Sequence, residues 1–485
     1  MYHYYDTYTV STPREVCMRI WAEWWSWVEP LRSACSRSRS FLWLLAAIAG
    51  ISVRNDLLGV TSIVRALGLG AQCYDRLLDF FHSKALDPDG LCRCWVKIVF
   101  ARMPGIHRVN SRPVLLGDGL KIPKRGRKMP AVKRLHQVSD CNTKPEFIMG
   151  HSFQVVSVLV SAAATFVAVP LSARIHEGLV FSNRDKRTLP IKFLSLVEAL
   201  GIAEPVYLVA DAYYACRTMA LGLIQTGSHL ISRLHKTCVA FEPVPPPVGK
   251  RKRGRPKLYG DKIHLFDLFE KPGNRWTTAT SPVYGEKDVL IRYLCLDLLW
   301  RPIRRLARFV LVDHPNRGRI VFLCTDLGLN PMEIIRLYGL RFKIEFSFKQ
   351  AVRTLGAYGY HFWMRTMDKI ASRSGDQYLH RKTDQYRHAI RRKLAAYHRF
   401  IQIALISQGV LQCIATTAPA LVWSSFGSWL CTIRPGIPPS ELVVMIALRN
   451  SLPDFLFASG SGSLLRKFLR DRLDLTRAEG LRLAA

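Results

Sequence analysis

PVLLGDG (113–119), HSFQVVSVLV (151–160), ATFVAVPL (164–171) and VYLVADAYY (206–214) carry the pattern that decides the fold. Each is a short apolar run bounded by polar, charged or glycine residues, as buried strands are. Val155 to Leu171 is broken by Ser157, Ser161 and Thr165, which predicts two strands joined by a turn and not a membrane span. A helical stretch follows at Lys192 to Leu200. Strands alternating with helices of this length predict an α/β core. Asp118 and Asp211 each close one of the apolar runs, and in open α/β sheets functional residues collect at strand ends.

Working outward, residues 1–105 are rich in helix formers and read as a helical, DNA-binding N-terminal region. Trp21, Trp24, Trp25 and Trp27 fit an amphipathic helix that turns its rings into a core better than a base-stacking platform. VTSIVRALGLGAQCYDRLLDFF (60–81) has the layout of a helix-turn-helix, with Gln72, Tyr74 and Arg76 on its second helix; any two short helices about a glycine turn share that layout. Residues 106–235 form the first part of the core and 309–365 the second. Between them, 236–308 turns Pro-rich and basic and then alternates, as in KIHLFDLF (262–269) and DVLIRYLCLDLLW (288–300), which predicts a β-rich insertion. Residues 366–485 read as helical, with roles in DNA contact and dimerisation.

Seventy Lys and Arg against 36 Asp and Glu leave a net charge of +34. A surface that basic attracts polyanions, so nucleic acid is the first partner to consider; a membrane surface or ribosomal RNA would satisfy the same charge. The 12 cysteines are scattered without a CxxC pair, which predicts reduced thiols, no zinc site and no disulfide framework. The start, MYHYYDTYTV, lacks the basic and apolar segments of a signal peptide. We therefore expect a cytoplasmic, nucleoid-associated prokaryotic protein without a membrane span.

IIRLYGLRFKIEFSFKQ (334–350) sets Tyr338, Arg341 and Glu345 at i, i+3 and i+7. On one helix those offsets lie within about 60° of each other, so phenol, guanidinium and carboxylate would share a face. An ordinary amphipathic helix with a solvated Arg–Glu pair explains the same residues taken alone. The order of parts adds to them: Asp118, then Asp211 after 93 residues, then Glu345 after another 134.

With LLGDGLKIPKRGRKM (115–129), VADAYYACR (209–217) and GAYGYHFW (356–363), this order resembles the insertion-sequence transposases with a ribonuclease H-like fold, in the branch with a Tyr-x2-Arg-x3-Glu-x6-Lys signature and a β-rich insertion. The resemblance spans roughly residues 110–365. It implies that Asp118, Asp211 and Glu345 are catalytic and hold two Mg²⁺ ions, with Mn²⁺ as a substitute. It also implies that Tyr338 and Arg341 contact phosphate, that the substrates are the element's terminal inverted repeats and a target DNA, and that the active complex is a homodimer. The signature's Lys would fall at Val352; Lys349, one turn after Glu345, stands in its place. Three carboxylates suit such chemistry, because paired divalent cations need oxygen ligands to activate an attacking hydroxyl and to stabilise a leaving oxygen.

Lys121, Lys124 and Arg125 open a run, 121–136, with seven cations and no acid, expected to hold backbone phosphates beside Asp118. KRKRGRPK (250–257) looks like an AT-hook, with Arg253 and Arg255 lying in a narrow minor groove; an exposed basic loop with nonspecific contacts is the plainer reading. Asp140, Asp326 and Glu333 are competing acids, and Asp326 fits a helix N-cap. Two rival functions remain: a sequence-specific DNA-binding protein derived from a transposase and lacking catalysis, and a metal-dependent nuclease that only hydrolyses.

Overall fold

The structure is a computed structural model that describes residues 13–137, 145–163, 165–244, 257–427, 433–434, 436–458 and 463–476. Five helices come first: Pro13–Val28 (α1), Ser38–Val53 (α2), Gly59–Ala66 (α3), Gln72–His82 (α4) and Pro88–Arg102 (α5). Helix α2 is apolar on all sides and is buried on all sides, as such a helix must be. Gly50 lets α3 approach it, since a Cβ there would stand 2.5 Å from Ile63 Cγ2. The start of α5 is fixed by Asp87, whose carboxylate accepts from Gly90 N, with Pro88 as the first helical residue.

The sheet then begins with Arg108–Val109 (β1), Arg112–Pro123 (β2), Lys133–His136 (β3), Phe147–Ala162 (β4), Thr165–Ile175 (β5) and Leu179–Val180 (β6). The long apolar run is thus two antiparallel strands, β4 and β5, joined by a turn as its serines and threonine predict. Leu189–Ala199 (α6), Tyr207–Ala210 (β7), Arg217–Gln225 (α7) and His229–Arg233 (β8) follow, and β2, β7 and β8 are parallel neighbours. The central order is β5–β4–β2–β7–β8: antiparallel across the first three, parallel across the last three.

The sheet continues beyond β8. Val239–Phe241 (β9), Lys262–His264 (β10), Thr277–Thr280 (β11), Leu290–Trp300 (β12), Arg305–His314 (β13) and Gly318–Cys324 (β14) extend it through the antiparallel β14–β8 pair. Among its described residues the 236–308 stretch holds β9 to β12 and the start of β13. Its end differs: β13 runs across position 308, because it pairs with β12 on one side and β14 on the other. Only Lys262–His264 of KIHLFDLF is strand; Leu265–Phe269 coils into a 3-10 turn that buries Leu265, Leu268 and Phe269.

Pro331–Leu340 (α8) and Phe342–Arg353 (α9) follow, then Gln377–Tyr378 (β15), which pairs with β6. The chain closes with Asp384–Thr417 (α10), Pro419–Phe426 (α11), Glu441–Phe457 (α12) and Leu464–Arg470 (α13). Helix α10 packs against β5 and also against α2, α4 and α5. It is long and apolar enough to cross a membrane, yet 89% of its apolar window is buried inside the molecule.

The two terminal regions are not separate bodies. Trp21, Trp24 and Trp27 are buried as core residues; Trp21 stacks on Phe455 of α12 at 4.5 Å and donates to Ser451 Oγ at 3.1 Å. Arg449 donates to the Val53 and Arg54 carbonyls at 2.6 and 2.7 Å. One helical core is therefore built from both ends of the chain.

Candidate active site

Strand β2 pairs with β7 only from Val114 to Gly117, but with β4 as far as Pro123. Asp118 therefore lies inside a strand and not at its end, which corrects the expectation. What ends is its parallel neighbour: Gly117 is opposite Ala210, and the next residues along the two strands are Asp118 and Asp211. Neighbouring strands stand about 4.8 Å apart, so the register alone sets these two acids side by side.

Asp211 caps the 3-10 turn Ala212–Tyr214, accepting from Tyr213 N at 3.1 Å, while its carbonyl accepts from Ser232 Oγ at 2.8 Å. Asp118 Oδ1 accepts from Gly119 N at 2.7 Å. Its other oxygen takes Arg341 Nη1 at 2.5 Å, and Arg341 Nη2 reaches Glu345 Oε1 at 2.7 Å. One guanidinium thus joins the strand acid to the helix acid.

Tyr338, Arg341 and Glu345 do not share one unbroken helix. Arg341 N–H turns back to Tyr338 O, one residue tighter than an α-helical bond, and α8 gives way to α9 at that point. The backbone stays near α, so the face survives: the Arg341 guanidinium lies 5.8 Å from the centre of the Tyr338 ring. Tyr338 in turn packs on Phe322 at 4.9 Å. Lys349 is exposed one turn beyond Glu345.

Burial pushes the Asp118 carboxyl up to about 6; Arg341 opposes that shift, and Asp211 and Glu345 add to it. Asp211 is raised too, by burial first, with Arg341 and the Tyr213 N–H opposing. Burial disfavours the charge on Arg341, but Asp118, Tyr338 and Glu345 more than offset it. The pocket is a set of acids gathered around one fixed positive charge.

A polar layer lies behind Asp118. Gln154, opposite Gly119 in β4, donates to Tyr214 OH at 3.1 Å, and its carbonyl oxygen contacts His176 Nδ1. Burial raises the Tyr214 phenol and lowers His176 to about 3, so the ring is neutral at physiological pH. None of the three stands out as a site residue in the sequence. Gln154 alone leaves a trace, as a buried amide within the apolar run HSFQVVSVLV.

Of the basic run, Lys121 and Arg125 are exposed, and Lys121 Nζ donates to His136 O at 2.6 Å. Lys124 is a correction. Its ammonium is buried, donates to the Tyr358 and Tyr360 carbonyls at 2.5 and 3.1 Å, and sits 3.8 Å from the Tyr360 ring. Burial lowers it to about 7. It ties the β2 loop to the GAYGYHFW segment, its ammonium spent on the two tyrosine carbonyls.

Asp326 accepts the Tyr207 phenol at 2.5 Å and Gly328 N at 2.8 Å; the N-cap of α8 is Asn330, which accepts from Met332 N at 2.9 Å. Tyr207 starts the strand that Asp211 follows, so Asp326 belongs to the opposite end of the sheet. Glu333 is paired with Arg336 at 2.6 Å. Arg253, Arg255 and Asp140 lie outside the described residues.

Three carboxylates are the hard oxygen donors a divalent cation requires. As they stand they do not close on one point: among the described residues no three His, Cys, Asp or Glu side chains gather as a metal cage. Arg341 holds the position between Asp118 and Glu345.

Residues 30–292 match the family described as DDE superfamily endonuclease. That span holds both strand acids and stops before α9. A solved synaptic complex of piggyBac transposase with hairpin DNA covers 96% of this chain and 86% of its own, at 12% identity and a TM-score of 0.35, too distant for residue correspondences. No curated protein sequence matches the chain.

Proposed function

Because the chain belongs to the DDE superfamily endonucleases, we propose that it is a DNA transposase that cuts the ends of a mobile element and joins them to a target. Asp118, Asp211 and Glu345 are the reacting acids. The observation that carries this reading is the convergence of Asp118 and Glu345 on Arg341, with Asp211 in register beside Asp118. The order β5–β4–β2–β7–β8 supports a ribonuclease H-like core, and the strands beyond β8 support an insertion into it.

In this mechanism Asp118 supplies oxygens from within β2, Asp211 from the turn that follows β7, and Glu345 a third from α9. These three acids would hold divalent cations, Mg²⁺ in the first instance, which when bound would supply activation of an attacking water or 3′-hydroxyl and stabilisation of the leaving oxygen. Arg341, beside the Tyr338 ring, would bind a phosphate when released from its carboxylates, with Lys349 one turn along as a second cation. Lys121 and Arg125 hold the backbone at the end of β2. The basic 250–257 segment and the 366–399 region add charge for the rest of the DNA. Terminal inverted repeats as the cognate ends, a homodimeric active complex and a cytoplasmic setting complete the reading.

The test is incubation of the purified protein with the DNA flanking its own gene, plus Mg²⁺, and mapping of the ends. Metal-dependent cuts at the element boundaries support it. Salt-sensitive binding without any cut would favour a DNA-binding protein derived from a transposase.

A further inference from the structure

Trp363 is 62% exposed, yet nothing around it is loose. Its neighbours Phe362 and Met364 are buried, the Phe362 carbonyl accepts the Tyr397 phenol at 2.8 Å, and Met364 N–H donates to Lys128 O at 2.9 Å. The indole lies over Gly126, where a Cβ would stand 2.8 Å from its Nε1. A Cβ there would also meet Met129 Cγ and Sδ at 2.6 Å, so the bare glycine lets the indole and Met129 both settle on the loop. A large aromatic carried on a bonded backbone with most of its surface in water forgoes hydrophobic burial that a core position would recover.

The surroundings are cationic. Arg125, Arg127 and Lys128 come from the loop after β2, and Arg365, Lys369 and Arg373 from the segment laid against it. The loop and the segment are joined by the backbone bond from Ile370 N–H to Arg127 O at 2.8 Å, and β3 adds one from Arg134 N–H to Ser374 O at 2.7 Å. Among the described residues none of the six cations has an ion pair. The one acid in the segment next to them, Asp368, is taken by Lys382 at 2.8 Å.

We propose that Trp363 is a stacking platform for an unpaired nucleotide, set in a basic surface that holds the flanking phosphates. Stacking on an aromatic face needs a base freed from its pair, and every base offers such a face, so the contact reads strandedness and not sequence. Five strand residues separate Asp118 from Pro123, roughly 17 Å at strand rise. The loop that carries Gly126 follows directly, so the platform lies further along the chain direction of β2 than the acids do. This inference rests on the proposed DNA function, and it adds a preference for substrates with a melted or single-stranded segment beside the cut.

The experiment measures binding without metal to three DNAs: a blunt 20-base-pair duplex, the same duplex with a five-thymidine tail, and one with a five-unit abasic tail. The abasic tail keeps the phosphates and removes the bases. Wild type should prefer the thymidine tail to the abasic tail by about tenfold, within the range aromatic stacking gives. Trp363→Ala should bind the two tails alike and the blunt duplex unchanged, while Trp363→Phe keeps most of the preference. Equal binding of both tails by wild type, or an intact preference in Trp363→Ala, would overturn the proposal. A shift in sedimentation of Trp363→Ala with the preference intact would assign the indole to a second copy of the chain instead. Loss of salt-sensitive binding to all three DNAs by wild type would remove the DNA reading itself, an outcome distinct from a lost tail preference.

Discussion

Arg341 Nη1 stands 2.5 Å from Asp118 Oδ2, joining a residue of the central strand to one at a helix junction 223 positions away. The same guanidinium holds Glu345, so it is a built-in cation among acids that would otherwise repel. Arg341→Ala leaves those charges uncompensated. We expect the metal-free protein to lose about 1–3 kcal/mol of stability, as when a buried charged partner is removed. Mg²⁺ should raise the melting temperature more in the variant than in wild type, since the ions then supply the missing charge. A thermal melt with and without Mg²⁺ checks both; equal metal shifts in the two proteins would contradict the shared position.

The raised Asp118 carboxyl gives a pH signature. Below its unfolded value of 3.8 the group is protonated in both states, and its contribution to stability is full. As pH rises toward the folded value of about 6, the unfolded chain ionises first and the contribution is lost. Asp118→Asn cannot ionise, so its stability relative to wild type should rise between pH 4 and 6, by up to about 3 kcal/mol, and then level off. Urea unfolding of both proteins across that range reads the difference; a gap independent of pH would place Asp118 in a far more solvated setting.

Lys124 separates structure from binding within one basic run. Lys124→Ala removes the donor to two buried carbonyls and should cost about 2–4 kcal/mol, with no change in the salt dependence of DNA binding. Neutralising Lys121 and Arg125 should do the reverse: little change in stability, and a log–log salt slope smaller by roughly 0.9 for each phosphate no longer neutralised. Paired denaturation and salt titrations would expose a wrong assignment as the opposite pattern.

The strands and their two acids were legible because apolar runs with abrupt polar ends are local signals, and Asp118 and Asp211 sit at such ends in the sequence. Sequence could not give the reason they meet, which is register: β7 stops opposite Gly117 while β2 runs on. The Tyr338–Arg341–Glu345 spacing was legible as a face, but the break at Arg341 depends on one backbone bond that no residue type announces. Lys124 was misread because charge is visible in a sequence and burial under Tyr358 and Tyr360 is not. The sharing of one core by both termini, through pairs such as Trp21 and Phe455, is long-range packing with no local trace.

That shared core changes how specificity is tested. Deleting residues 1–105 would strip α2, α4 and α5 from α10 and expose its apolar surface, so point variants are the sound probe. Gln72, Tyr74 and Arg76 are exposed on α4, while Cys73, Leu77 and Phe81 face inward, and Gly68 makes the preceding turn with φ +61°. If α4 reads bases, Gln72→Ala or Arg76→Ala should cost about 1–3 kcal/mol on the cognate ends and little on random DNA. Equal losses on both DNAs would reduce α4 to a phosphate-binding element.

The most direct test of the central claim is to compare strand cleavage with DNA binding for Glu345→Gln, the one proposed acid outside the span 30–292 that matches the family. Glutamine keeps the shape of the α9 face and removes the charge that meets Arg341 and would meet a cation. Metal-dependent cleavage of the element ends should fall below detection while affinity for the same DNA stays within about twofold of wild type, an order-of-magnitude margin for a change that spares the binding surface. Cleavage at the wild-type rate in this variant would contradict the account and move the third acid off α9.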